Sequence, residues 1–136
     1  NKTTMQPIIK NSYLVELNVG ASVAVQKQVN FQFVPQLERK QIYAVQVFSS
    51  TNVSLSPNGA TVASAAALAD VTVTFMVGIN QEVVLYALTD LNPLLNSGFI
   101  RMFNNKLLNL TKSFITIQSV ATIAANQSLL FNFIYQ

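Results

Sequence analysis

A chain of 136 residues, 51% of them hydrophobic, is long enough for one domain with one core, and this composition excludes intrinsic disorder. Charged residues make up only 10% and the net charge is +3, with Lys2, Lys10, Lys27, Arg39, Lys40, Arg101, Lys106 and Lys112 scattered along the chain, so no specific nucleic-acid-binding face is expected. There is no cysteine and no histidine, which removes disulfides, zinc–thiolate sites, thiol catalysis and the commonest general base together.

Amides stand where charges are usual: 14 Asn and 11 Gln. Burying an amide costs far less than burying a charge, so this composition suits a surface packed against neighbours. A compositional bias of the source would give the same pattern.

Residues 1–11 are polar, contain Pro7 and read as an N-terminal arm, leaving 12–136 as the folded domain. Tyr13, Val15, Leu17 and Val19 alternate with polar positions, predicting a strand over 12–19 that ends at Gly20-Ala21. A long strand over 22–34 follows, with Phe31 and Phe33 on its apolar face, interrupted by Lys27 and ended by Pro35. Gln41 to Phe48 is the next strand.

The connection 49–70 carries no charge from Ser49 to Ala69 and holds the turn Ser56-Pro57-Asn58-Gly59. Thr61 to Ala69 fits either a short helix or an extended crossing of a sheet end. Asp70 to Asp90 then reads as a hairpin around Gly78 to Gln81, with Val77 facing Val83, Phe75 facing Leu85, Val73 facing Ala87 and Val71 facing Thr89. We take it as the centre of the fold. Beyond it, Gly98 disfavours a full helix over 94–103. A short strand at 99–103, a turn at Asn104-Asn105, a strand over 113–118 and a loop over 124–127 complete the approach to the last strand, 129–135. That strand is apolar on both faces and so expected to be central. The sum is an all-β, single jelly-roll-like β-sandwich of about eight antiparallel strands. The uncharged stretches 41–69 and 113–136 are interrupted by Gln, Asn and Ser, so membrane insertion as a helix is not expected.

The hairpin register would bring Asp70 and Asp90 together. Such a pair could share a proton or contribute to a calcium site. Calcium wants six or more oxygens, so two solvated strand-end residues are the favoured reading, with no metal and no cofactor. The aromatic stripes Phe31/Phe33 and Phe131/Phe133/Tyr135 could stack on sugars or bases, but their alternation with polar residues points to core packing.

Two segments carry a resemblance. Lys40-Gln41-Ile42-Tyr43 opens a strand running into a turn-rich loop, and Lys112-Ser113-Phe114-Ile115 is followed by Ser128-Leu129-Leu130-Phe131-Asn132-Phe133. This arrangement resembles the small single jelly-roll vertex (penton) proteins of tailless, membrane-containing icosahedral bacteriophages, in which a Gln-Ile-Tyr-like strand precedes a long loop and a strand with Phe-Asn-Phe-like residues closes the fold. The region 94–112 has no counterpart. The resemblance implies a capsid protein in the virion, a homopentamer at the five-folds, with neighbouring capsid proteins and a spike protein as partners. A single jelly-roll coat subunit elsewhere in the shell is the related option.

The leading expectation is therefore a viral structural protein and not an enzyme. The competing one is a receptor- or carbohydrate-binding β-sandwich module of a phage or bacterial surface. An outer-membrane barrel is disfavoured by Pro35 and the long 49–70 connection. Small side chains fill that connection, and Val53, Leu55, Val62 and Leu68 supply its apolar contacts. We expect these four to meet a neighbouring subunit. The opposing view has the loop fold back over an open end of its own sandwich.

Overall fold

The computed structural model describes residues 11–93 and 101–135. The structure is an all-β sandwich of two four-stranded sheets. Its strands are β1 (Asn11–Asn18), β2 (Gln28–Asn30), β3 (Ile42–Phe48), β4 (Val71–Val77), β5 (Asn80–Ala87), β6 (Arg101–Lys106), β7 (Phe114–Ile117) and β8 (Ser128–Tyr135), with one short helix, α1 (Ala65–Leu68). The arm reading over 1–10 and the residues 94–100 lie outside the described residues, and Asn11, taken as arm, is the first residue of β1.

The strand orders are β1-β8-β3-β6 and β2-β7-β4-β5. Four antiparallel ladders are nested: β4 with β5, β3 with β6, β2 with β7 and β1 with β8. The chain is thus one long antiparallel ribbon with the β4–β5 hairpin at its tip. Two further ladders, β3 with β8 and β4 with β7, zip that ribbon into the two sheets. The last strand is central as expected, between β1 and β3, whereas of the hairpin only β4 is interior and β5 forms the edge of its sheet.

Alternation explains which side chains meet. Leu129, Phe131 and Phe133 of β8, Val15 and Leu17 of β1, and Val71, Val73 and Phe75 of β4 are all buried in one cluster, as period-two strands over a single core require. Phe31, Phe75, Phe131 and Phe133 pack ring against ring across the sandwich, and Phe103 meets Phe75 edge-on at 5.4 Å. At one side, the Lys106 ammonium on β6 reaches Glu82 on β5 at 2.6 Å and ties the edges of the two sheets together.

Three sequence expectations are corrected. The hairpin register is not the one proposed. Gly78, at φ +62, makes a two-residue turn with Ile79, so Val77 pairs with Asn80 and Met76 with Gln81. Two one-residue shifts along β5 then set Phe75 opposite Val83, and Val73 opposite Tyr86. Leu85, at φ +48, takes up the second shift and points outward at 53% exposure, where the even register had put it in the core opposite Phe75. A two-residue turn with positive φ at its first central position starts the ladder closer to the turn, and bulges restore the apolar match farther on.

The strand expected over 22–34 shortens to β2. Lys27, which interrupts the alternation, donates to the carbonyls of Val19 at 2.9 Å and Ser22 at 2.6 Å and so serves the β1–β2 turn. Phe31 still enters the core, but Phe33 is 59% exposed. Asn104-Asn105, expected as a turn, lies inside β6. The β3–β6 ladder is irregular there, passing from Ala44↔Met102 to Ile42↔Lys106. The turn preference of the two asparagines is spent as a bulge because β3 supplies a pairing partner.

Candidate interaction surface

The loops 19–27, 49–70, 88–93 and 118–127 gather at one end of the sandwich and bond to one another. The Asn126 amide donates to Gly20, Gln118 to Asp70, and Gln26 to Ile117, each at 2.7 Å. Loop 49–70 is the largest of them, and it is built rather than slack. Asn52 accepts from the Ser49 amide at 2.9 Å, and Asn92, fully buried, donates to the Val47 carbonyl at 3.0 Å and to Asn52 at 3.2 Å. Ser64 caps α1 by accepting from the Ala67 amide at 3.2 Å.

Within this loop, residues 54–62 form an arch. Leu55 bridges Thr61, Val62 donates to Ser54, and Ser56 closes the turn with Ala60 at 2.8 Å, helped by Gly59 at φ +82. Beyond it, Val62 lies beside Ser128 in a parallel bridge, continuing the sheet where β3 has ended. The tip reaches β1: Glu16 accepts from Asn58 through its backbone amide at 3.3 Å and its side chain at 3.0 Å, and from the Ser128 hydroxyl at 2.6 Å. Ser56 adds another side-chain hydrogen bond. Burial alone would raise the Glu16 pKa, but these hydrogen bonds from Ser128, Ser56 and Asn58 outweigh it and hold the carboxyl below its ordinary value. Leu130 pairs with Glu16 across the β1–β8 ladder and is fully buried outside the central core. The arch tip is therefore held on the outer face of this sheet, the face that carries Leu130.

The four residues expected at a subunit interface separate into two groups. Val62 and Leu68 are buried within the chain itself, at 1% and 0% exposure; Val53 and Leu55 are exposed. The fold-back view thus describes Val62 and Leu68, whereas Val53 and Leu55 face outward. Val25 and Val120, on neighbouring loops of the same end, are also exposed. Neither the Glu16 knot nor its partners were singled out from sequence, because a Glu on the polar side of an alternating strand reads as solvated. The turn Ser56-Pro57-Asn58-Gly59 was legible, but not what it docks on.

Asp70 and Asp90 are not laddered. The β4–β5 pairing closes at Thr72↔Ala87, and the chain turns at Leu88–Leu91 in a 3₁₀ turn. Asp70 accepts instead from the Thr122 hydroxyl, and Gln118 and Ser119 bond its carbonyl. Among the described residues no group of three or more carboxylates could hold a metal ion, and no helix is long and apolar enough to cross a membrane.

Two grooves share Phe33 and Val34, the first at the opposite end and the second running from there to the arch tip. One, of about 200 Å³, runs between Leu37 and Leu108 to Thr111. The other, of about 320 Å³, is lined by Tyr13, Glu16, Gln32, Gln36, Pro57 and Asn58 among others.

No family model matches the chain, and no curated protein or solved structure matches it.

Proposed function

We propose that the protein is a virion structural protein, a single jelly-roll capsid subunit that assembles as a homopentamer at the vertex of an icosahedral phage. The observation that carries this reading is the nesting of four ladders into the strand orders β1-β8-β3-β6 and β2-β7-β4-β5. A ribbon rolled up in this way gives the eight strands and two Greek keys of a jelly roll. Fold alone assigns no role. Two further features support a capsid role: the amide-rich, charge-poor composition and the exposed Val53 and Leu55 on a loop with no charge between Ser49 and Ala69. In this reading the chain has no catalytic role and needs no cofactor. Its partners are copies of itself, neighbouring capsid proteins and a spike.

The competing module reading has one observation in its favour. Phe33 stands exposed between the two grooves, with Gln32, Gln36 and Tyr13 beside it, a mixture of ring face and amides suited to a sugar. The solution mass of the purified chain separates the two. A pentamer by native mass spectrometry, reduced to monomers by Val53→Ser with Leu55→Ser while the fold is kept, supports the capsid reading. A monomer that binds glycans and loses them on Phe33→Ala overturns it.

A further inference from the structure

The exposed apolar residues of loop 49–70 are useful to a neighbour only if the loop holds one shape. Ser49, Asn52 and Ser64 hold its flanks, but the arch 54–62 is short, and an isolated two-stranded hairpin is marginal in water. Its internal bonds fix its own turn, while three contacts tie it to the sheet. Two belong to the backbone at its root, where Ser128 donates to Thr61 at 2.9 Å and Ala63 donates to Ser128 at 3.0 Å. The third, at its tip, is the Glu16 carboxylate.

We infer that Glu16 is the positioning residue of this surface, clamping the tip of the 54–62 arch to the sheet through Asn58 and Ser56 from the arch and Ser128 from β8, and that protonating it releases the tip. A carboxylate can accept several hydrogen bonds at once with both oxygens, and hydrogen bonds to a charged acceptor are about twice as strong as neutral ones. Protonation removes that charge and part of that capacity together. The groups bonded to Glu16 from each packed element, Ser56, Asn58 and Ser128, are uncharged, and Ser128 is itself held by Asn18 at 3.0 Å. The remaining residues lining the adjoining groove include no second carboxylate and no lysine or arginine. The release therefore belongs to Glu16. Resting on the capsid reading, the consequence is that assembly through Leu55, which the arch carries, weakens in acid.

The test is amide exchange followed residue by residue by NMR, expressed as protection factors between pH 7 and pH 3, with the solution mass taken on the same samples. In the parent, protection at Asn58 and Val62 falls by about tenfold or more in acid, before that of Phe75 in the core. Glu16→Gln, close in shape but uncharged, shows the loosened arch already at pH 7 and no longer responds to acid. If Glu16→Gln keeps the parent's protection at both pH values, the inference fails. Should Glu16→Gln disturb the fold, Ser56→Ala with Asn58→Ala leaves the carboxylate intact and must loosen the arch in the same way; unchanged protection overturns the inference. An arch that loosens as described in a parent monomeric at every pH sustains the clamp and overturns the capsid reading.

Discussion

Phe31 meets Phe131 edge to face, ring centroids 4.9 Å apart and planes at 76°. Phe31 follows β2 in one sheet and Phe131 sits in the middle of β8 in the other, so this single contact spans the sandwich. Phe75 and Phe133 surround it, at 5.8 Å and 6.2 Å from Phe31. Aromatic pairs in such geometry contribute beyond the area they bury.

Truncating Phe133 or Phe131 to Ala should therefore cost about 3–5 kcal/mol, a large share of a typical domain stability of roughly 5–15 kcal/mol. Phe33→Ala, two residues beyond Phe31 but exposed, should change stability by less than about 0.5 kcal/mol. Denaturant midpoints of the three variants check this. A Phe133→Ala midpoint equal to that of the parent would contradict the placement of β8.

Leu85 combines positive φ with exposure, while its amide donates to the Thr74 hydroxyl at 3.2 Å. A left-handed conformation disfavours side chains branched at Cβ most. Leu85→Asn should leave the melting temperature unchanged or raise it slightly, and Leu85→Val should lower it, by about 1 kcal/mol in stability. The even register predicts the reverse order, because a core Leu tolerates Val and not Asn.

Asn92 lies fully buried with its side chain donating to Val47 and Asn52. Asn92→Ala leaves the Val47 carbonyl without that donor, at a cost of about 1–3 kcal/mol. Asn92→Asp should be worse, since it sets a carboxylate against a carbonyl oxygen. Thermal unfolding of the two variants gives the ranking.

Glu16 makes stability pH-dependent with a definite sign. Its folded-state pKa is lowered, so the unfolded chain binds the proton more readily. Its contribution is fully present above the ordinary glutamate value of 4.5 and is lost as the pH falls through the lower folded value. Unfolding curves of Glu16→Gln should show about 1 kcal/mol less stability at neutral pH and a shallower fall in acid than the parent. Parallel pH profiles for the two proteins would assign the acid sensitivity to other carboxylates.

Period-two alternation in the amino-acid sequence determined that the chain is all-β, roughly where its strands lie, and that β8 is central. Those are properties of each strand taken alone, since alternation states which side chains share a face. It does not state which residue of another strand lies opposite. That was decided in three dimensions. Gly78 shortened the turn and Leu85 took up the shift, because burying Phe75 against Val83 outweighs keeping an even ladder. Phe33 was turned out although it repeats the pattern of Phe31, because the β2–β7 ladder ends at Asn30↔Phe114. Val62 and Leu68 went inside while Val53 and Leu55 stayed out, a division that nothing in an uncharged loop of small residues encodes locally. Glu16 acquired its partners from positions 42 and 112 residues away in the chain, and a contact over such separations exists only once the ribbon has rolled up.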